Sequence, residues 1–199
     1  MTPATRRPAR ALAAIAIALV CANVSADMGP LEGLIEPHQG QAWTVSRAQQ
    51  GGWLFENPDA AYDIQYYYLN PKPGEAGRRE ISVDVSHLSG SGDSLAGILY
   101  GFVDSPRSYY MFTVGGDRSV NLHYVEEGNV EEKMKLQLGD MRSARARLTL
   151  RESGTEIALL VNGQEKSTLA NDRMGQGAVG IVTAHTGLFH LDNFDVKSP

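Results

Sequence analysis

The stretch LAGILYGFVDSPRSYYMFTV, residues 95–114, decides the fold class of this 199-residue chain. In its first half, Ile98, Tyr100 and Phe102 share one phase, and the positions between them are Gly, Leu and Gly. Both faces of this segment are therefore apolar or small, as in a central strand that is covered on both sides. The second half places Tyr110, Phe112 and Val114 at alternate positions. The stretch thus predicts two β-strands, of which the first is central in its sheet.

The same period-two alternation continues through the chain and breaks at turn residues every 8–12 positions. Such spacing is typical of an all-β sandwich or barrel. It predicts 12 to 13 strands and no helix. The predicted strands are residues 42–47, 52–57, 62–69, 79–87, 95–103, 108–114, 119–125, 132–138, 144–151, 155–162, 164–169, 177–184 and 188–197.

The domain plan that follows from this pattern is simple. Asn162-Gly163 joins two of the strands, and both residue types tolerate the positive φ of a type I′ hairpin turn. Residues 27–41 are rich in Gly, Pro and polar residues, and we interpret them as a lead-in arm with at most one early strand. No linker or repeat divides residues 42–199, which we therefore predict to form a single domain.

The first 26 residues have the pattern of a secretory signal peptide. Arg6, Arg7 and Arg10 precede an apolar run over residues 11–22, and Val24-Ser25-Ala26 supplies small residues for cleavage. The run is shorter than the roughly 20 residues of a membrane span. We predict cleavage after Ala26 and export to the periplasm or the medium, without membrane insertion afterwards. An uncleaved anchor is the alternative.

Cysteine usage and charge exclude several classes of protein. Cys21 is the only cysteine and lies within the predicted signal, so the remaining chain has no disulfide framework, thiol nucleophile or cysteine metal site. The formal net charge of the whole chain is −5, and the signal contains three arginines and no acidic residue. The exported part is thus more acidic still, which argues against nucleic acid or anionic lipid as a partner.

Five motifs resemble one known superfamily, and they occur in its order. These are AGILYGF at residues 96–102, YYMF at 109–112, VNG at 161–163, GAVGI at 177–181 and DNFDV at 192–196. The order is similar to that of concanavalin A-like lectins and glucanases, in particular laminin G-like and 3-keto-disaccharide hydrolase-like domains. The resemblance covers about residues 42–197. It implies an antiparallel two-sheet jelly-roll sandwich that holds sugar on a concave face or at its rim, in several relatives with a structural calcium.

No catalytic motif accompanies this resemblance. The glucanases of this superfamily carry Glu-x-Asp-x-x-Glu, which this chain lacks; its nearest fragment has Glu80 and Asp84. Four residues of strand separate these carboxyl groups by about 13 Å, too far for the roughly 5 Å of a retaining pair. No nucleophile elbow or phosphate-binding loop occurs either. We therefore expect no catalytic residue and no organic cofactor.

Metal binding is less constrained by the sequence. The histidines show no HxH or HExxH spacing, so we interpret them as satisfied or exposed side chains. Calcium remains a candidate, because it needs only oxygen ligands from loops. The loop carboxylates that could serve are Asp93, Asp104, Asp117, Asp172 and Asp192.

A binding surface can be predicted from alternation alone. If Tyr66 and Tyr68 face the core, Tyr67 faces outward, and the same reasoning applies to other strands. The predicted ligand-binding side chains on this open face are Tyr67, Tyr109, Asn121, His123, Arg145 and Arg147. Flat rings and fixed polar groups suit a sugar. We therefore expect an exported, non-catalytic module that binds a glycan. The alternatives are a 3-keto-disaccharide hydrolase-type enzyme and a structural domain that binds a protein partner.

Overall fold

A computed structural model describes residues 27–40, 42–58, 64–71, 77–138, 145–171 and 177–198. In this part of the chain the secondary structure is fourteen strands and one 3₁₀ turn, η1, at Gly29–Leu31. The strands are β1 His38–Gln39, β2 Thr44–Arg47, β3 Trp53–Asn57, β4 Ile64–Leu69, β5 Glu80–Gly90, β6 Leu95–Asp104, β7 Arg107–Gly115, β8 Ser119–Glu126, β9 Asn129–Gln137, β10 Arg145–Ser153, β11 Glu156–Val161, β12 Gln164–Ala170, β13 Ala178–Ala184 and β14 Gly187–Lys197.

These strands form two antiparallel sheets, so the predicted all-β jelly-roll sandwich is confirmed. The six-stranded sheet has the order β4-β13-β6-β7-β8-β9, and the eight-stranded sheet has the order β1-β2-β3-β14-β5-β10-β11-β12. β6 lies between β13 and β7, as the two covered faces of its sequence predicted. Residues 62, 63 and 144 of the predicted strands, and the predicted signal peptide, lie outside the described residues.

The core lies between the sheets and follows the alternation of the strands. β6 contributes Ile98 and Tyr100, β7 contributes Phe112, and the facing sheet contributes Leu148 and Phe189, all of them fully or almost fully buried. Burying side chains of this size stabilises the fold by about 1.5–3 kcal/mol each. Burial of these apolar side chains, which alternate along the strands, thus accounts for the packing of the two sheets against each other.

The segment that we interpreted as a lead-in arm packs into this core. Met28, Leu31 and Ile35 are buried in the same hydrophobic cluster as the strands. η1 contacts β14 and β4, and β1 pairs with β2. Residues 27–40 therefore belong to the sandwich and close one of its ends.

The hairpin at residues 162 and 163 has the predicted geometry. Asn162 has φ 51° and Gly163 has φ 78°, both in the left-handed region that a type I′ turn requires. The Asn162 side chain also accepts a hydrogen bond from the backbone N–H of Arg147 at 2.9 Å. This amide therefore ties the turn between β11 and β12 to the neighbouring β10.

A buried ion pair lies inside the apolar core. The side chains of Arg79 and Glu152 are only 1% and 0% exposed, and Arg79 Nη2 lies 2.7 Å from Glu152 Oε1. Glu152 also accepts hydrogen bonds from Arg79 Nε, from the backbone N–H groups of Gly77 and Arg79, and from the Tyr100 hydroxyl. The carboxylate is thus almost saturated with donors, as a charge in this environment requires.

None of the described helical segments is long and apolar enough to cross a membrane.

Candidate functional site

The outer face of the six-stranded sheet, directed away from the other sheet, carries a cluster of aromatic side chains. Phe102 of β6 lies at the centre, with its ring centroid 5.3 Å from Tyr66, 4.7 Å from Tyr68 and 5.8 Å from Tyr109. Leu99, Met111, Val125, Ala178 and Val182 form the buried floor of the same cluster. We call this set of four rings the outer aromatic cluster.

Two of the predicted strand phases are wrong at this point. Phe102 was expected on the same face as Ile98 and Tyr100, but a bulge between Tyr100 and Val103 reverses the phase. Gly101 takes φ 66° within this bulge, a conformation that side chains rarely adopt. A glycine inside a strand is a known signal of a bulge, so the reversal could have been anticipated from the sequence.

Tyr67 also lies on the opposite face from the one predicted. Its ring packs into the core between the sheets, with a centroid 6.0 Å from that of Phe55, while Tyr66 and Tyr68 point outward to Phe102. Burial raises the pKa of the Tyr67 hydroxyl. Three consecutive tyrosines do not indicate which of them faces the core. The pairing of β4 with β13 determines which face each tyrosine occupies.

A pocket of 750 Å³ opens beside the outer aromatic cluster. Tyr66 and Tyr109 line it together with Ile64 and Val125. Charged and polar groups come from the β6–β7 turn, residues 104–107, and from the β8–β9 turn, residues 127–128. The volume falls within the range of about 300–1,000 Å³ that ligand pockets occupy.

The two tyrosines of the pocket converge from distant strands. β4 and β7 are separated by β13 and β6, which would place them about 14 Å apart at the usual strand spacing. The rings of Tyr66 and Tyr109 are nevertheless only 6.4 Å apart. The two rings therefore approach each other on the outer face, above the two intervening strands, and give the pocket an aromatic side.

The rim of the pocket carries charges of both signs. Arg107 Nη2 lies 3.3 Å from Asp104 Oδ1, and both side chains are mostly exposed. The neighbouring Tyr66 and the bond to Asp104 raise the pKa of Arg107. Glu127 lies on the adjacent β8–β9 turn, where its backbone N–H donates to the Arg107 carbonyl oxygen at 2.8 Å. The exposed guanidinium and carboxylates can therefore donate to and accept from a polar ligand.

Farther along the outer face lie the predicted residues Asn121 and His123. Asn121 is buried and donates from Nδ2 to Ser119 Oγ at 2.8 Å. Thr113, directly opposite Asn121 on β7, is fully buried. In the described part of the chain, Thr113 Oγ1 and His123 Nδ1 are buried without a hydrogen-bond partner.

The electrostatic surroundings of His123 disfavour its charged form. Burial lowers the pKa of His123, and Lys135 and His185 lower it further, while Glu132 acts in the opposite direction. The imidazole is thus held neutral at physiological pH. Tyr109, Asn121 and His123 all lie on this face, but Tyr109 and Asn121 are buried rather than open to solvent. Whether the three residues bind a ligand stays a prediction.

Arg145 and Arg147 do not lie on this face, so the prediction of one common surface is wrong for them. Both belong to β10 and point outward from the eight-stranded sheet. Asp84 lies 3.0 Å from Arg145 and 3.2 Å from Arg147, and Arg145 also contacts Asp192 at 3.2 Å. Alternation identified them correctly as outward-facing, but it does not show to which sheet a strand belongs.

The pKa values of the two carboxylates in this ion-pair network shift in opposite directions. Burial alone would raise the pKa of Asp84, but hydrogen bonds from Asn193, Arg145 and Arg147 hold it below its ordinary value. Burial does raise the pKa of Asp192. Glu80, the other carboxylate of the fragment compared with the glucanase motif, accepts a hydrogen bond from Arg151 at 2.8 Å. Arginine side chains thus engage both acidic residues of that fragment.

Three of the carboxylates considered for calcium are engaged by donors of the chain itself. Asp117 bonds Ser119 and Lys135, Asp104 pairs with Arg107, and Asp192 pairs with Arg145. Hydrogen bonds from Ser119 and Lys135 outweigh burial and lower the pKa of Asp117 to about 2. Among the described residues no three His, Cys, Asp or Glu side chains converge as a metal site; Asp172 lies outside them.

Comparison with known proteins supports the fold alone. No protein-family model and no curated protein matches the sequence. A carbohydrate-binding module, CBM66 from Bacillus subtilis, superposes with a TM-score of 0.60 at 11% identity, covering 81% of this chain and 100% of that one. The β-glucanase of Bacillus licheniformis superposes with a TM-score of 0.54 at 14% identity, covering 83% of this chain and 90% of that one. A Bacillus subtilis protein of unknown function with a galectin-like fold superposes with a TM-score of 0.54 at 12% identity, covering 79% of this chain and 86% of that one.

Proposed function

We propose that this protein is an exported carbohydrate-binding module that holds a glycan in the pocket beside Tyr66 and Tyr109. The observation that carries this proposal is the 750 Å³ pocket on the outer face of the six-stranded sheet, with two tyrosines on one side and exposed charges at its rim. The fold that the chain shares with a carbohydrate-binding module supports it.

The chemistry of the pocket matches that of a sugar. A pyranose or furanose ring has apolar C–H faces, which pack on aromatic rings, and equatorial hydroxyls, which need fixed donors and acceptors. Tyr66, which is half-buried, supplies the ring surface, and the buried Tyr109 packs behind it. Asp104, Arg107 and Glu127 supply the polar groups. A glycan chain can extend along the open face beyond Tyr68, whose side chain is among the exposed apolar groups.

A glycan array probed with the purified protein, with and without calcium, tests this function. Tyr66→Ala should weaken binding at least tenfold, because burying an aromatic side chain contributes about 1.5–3 kcal/mol. Tyr124→Ala is the matched control, since Tyr124 is also a half-buried tyrosine of this sheet but packs on Tyr110 at the core side. Calcium-dependent binding would add an ion to the site. Binding to no glycan, or equal loss in both variants, would overturn the proposal.

Export forms the second part of the proposal. The arginines, the apolar run and the small residues at Val24-Ser25-Ala26 support cleavage after Ala26 and delivery to the periplasm or the medium. N-terminal sequencing of the protein from each fraction of the producing cell should yield Asp27 as the first residue. Recovery only in the cytoplasm with Met1 retained would contradict it.

A hydrolase of the 3-keto-disaccharide type is the second candidate. Asp104 and Glu127 both line the pocket, and paired carboxylates are the usual means of cleaving a glycosidic bond. Incubation with each glycan that binds, followed by analysis of the products, separates the two functions. Product formation that Asp104→Asn and Glu127→Gln abolish would favour the enzyme, and intact glycan would favour the module.

A further inference from the structure

A second cavity lies between the two sheets, at the end where η1 packs. It has a volume of 190 Å³, and its lining is mostly apolar. The apolar lining residues are Pro30 of η1, Leu69 at the end of β4, Pro71 just beyond it, Val179 of β13 and Val196 of β14. Asn70, which is exposed, adds an amide. None of its lining residues belongs to the pocket at Tyr66 and Tyr109.

Among the described residues that line this cavity, Arg79 is the one cation. Its Nε and Nη2 nitrogens both bond Glu152, at 3.1 Å and 2.7 Å. Nη1 is the remaining nitrogen, and it is buried without a hydrogen-bond partner in the described chain. A buried donor without an acceptor is unfavourable, and native proteins rarely leave one unsatisfied.

Size and charge define what would satisfy this donor. Cavities of about 150 Å³ lined by apolar residues bind molecules as large as benzene, so 190 Å³ accommodates a six-membered ring with one substituent. Glu152 already balances the charge of Arg79 at 2.7 Å. A second anion would therefore meet the carboxylate as well as the guanidinium, and a neutral oxygen acceptor fits better.

We propose that this cavity, the Arg79 cavity, binds a small, uncharged, mostly apolar molecule whose carbonyl or amide oxygen accepts a hydrogen bond from Arg79 Nη1. Leu69, Val179 and Val196 contact the apolar body of the ligand, and the guanidinium orients its oxygen. The site is separate from the glycan pocket, so it holds or fails independently of the carbohydrate function.

Three probes of similar size test this proposal: benzamide, toluene and benzoate. Each is titrated into the protein while the methyl signals of Leu69, Val179 and Val196 are followed by NMR. Benzamide should shift these signals saturably and bind about tenfold tighter than toluene, which has no acceptor for Arg79 Nη1. Benzoate should bind more weakly than benzamide, because its charge faces Glu152.

A filling variant makes the test independent of Arg79, whose replacement can unfold the chain. Val196→Phe should occupy the cavity and abolish benzamide binding, whereas Val130→Phe, on the exposed part of β9, should leave it unchanged. Equal binding of toluene and benzamide would overturn the role of Nη1, and tighter binding of benzoate would overturn the uncharged class. No shift with any probe, or full binding by Val196→Phe, would overturn the site itself.

Discussion

Replacing Glu152 by glutamine should destabilise this protein more than most surface changes, because it leaves a buried arginine without its counter-charge. The carboxylate accepts from Arg79 Nε and Nη2, from two backbone N–H groups and from the Tyr100 hydroxyl. Glutamine keeps the shape but turns one acceptor into a donor, which then faces other donors. Removing one partner of a buried ion pair typically costs about 3–5 kcal/mol.

Thermal and urea unfolding at pH 7 measure this loss. For a domain of this size each kcal/mol lowers Tm by about 2–4 °C, so Glu152→Gln should lower it by roughly 6–20 °C. Glu80→Gln is the matched control, since Glu80 bonds Arg151 at 2.8 Å on the surface, where both side chains are at least one third exposed. An exposed pair of this kind contributes about 0–1 kcal/mol.

A second substitution separates the uncompensated charge from simple loss of packing. Arg79→Met added to Glu152→Gln should recover about 1 kcal/mol or more, because it removes the charge that the first change left unpaired. A Glu152→Gln variant no less stable than Glu80→Gln would refute this explanation. So would a double variant whose loss equals the sum of the losses of Glu152→Gln and Arg79→Met measured singly.

Three further outcomes are expected, at Glu152, at Gly180 and at Asn162. Burial alone would raise the pKa of Glu152, but hydrogen bonds from Arg79 and Tyr100 hold it below its ordinary value. Its contribution to stability is therefore complete above the unfolded pKa of about 4.3 and disappears as the pH falls through the folded pKa. Urea midpoints should thus fall between pH 5 and pH 2 less steeply for Glu152→Gln than for the wild type; equal slopes would contradict this. Gly180→Ala should lower stability by about 1–3 kcal/mol, since its Cβ would lie 1.9 Å from the Tyr67 carbonyl oxygen, whereas Gly33→Ala, with open space around it, should be neutral in the same melting experiment. Asn162→Ala should cost about 1 kcal/mol through its positive φ and the lost bond to the Arg147 N–H, and an unchanged Tm would refute that.

Local patterns predicted the strands and the sandwich because burial on a sheet has a period of two. The strand β6 shows this well, since its two apolar faces in the sequence predict a central strand and it lies between β13 and β7. The turn at Asn162-Gly163 was equally predictable, because few residue types adopt positive φ at two successive positions.

The candidate site was predicted less well, because it depends on long-range register. A single bulge at Gly101 moved Phe102 from the core to the outer face. The run Tyr66-Tyr67-Tyr68 has no local phase, so only its pairing with β13 places Tyr66 in the pocket. Arg145 lies on the opposite sheet for the same reason, since pairing of β10 with β5 and β11 assigns it there.

The most direct test of the carbohydrate function is to map which face of the sandwich a bound glycan contacts. Backbone amide shifts would be followed by NMR while an oligosaccharide that binds on the array is titrated to saturation. We expect the largest shifts at Arg107, Tyr109 and Gly128, around the pocket on the six-stranded sheet. Shifts concentrated at Asp84 and Arg147, on the outer face of the eight-stranded sheet, would contradict the account.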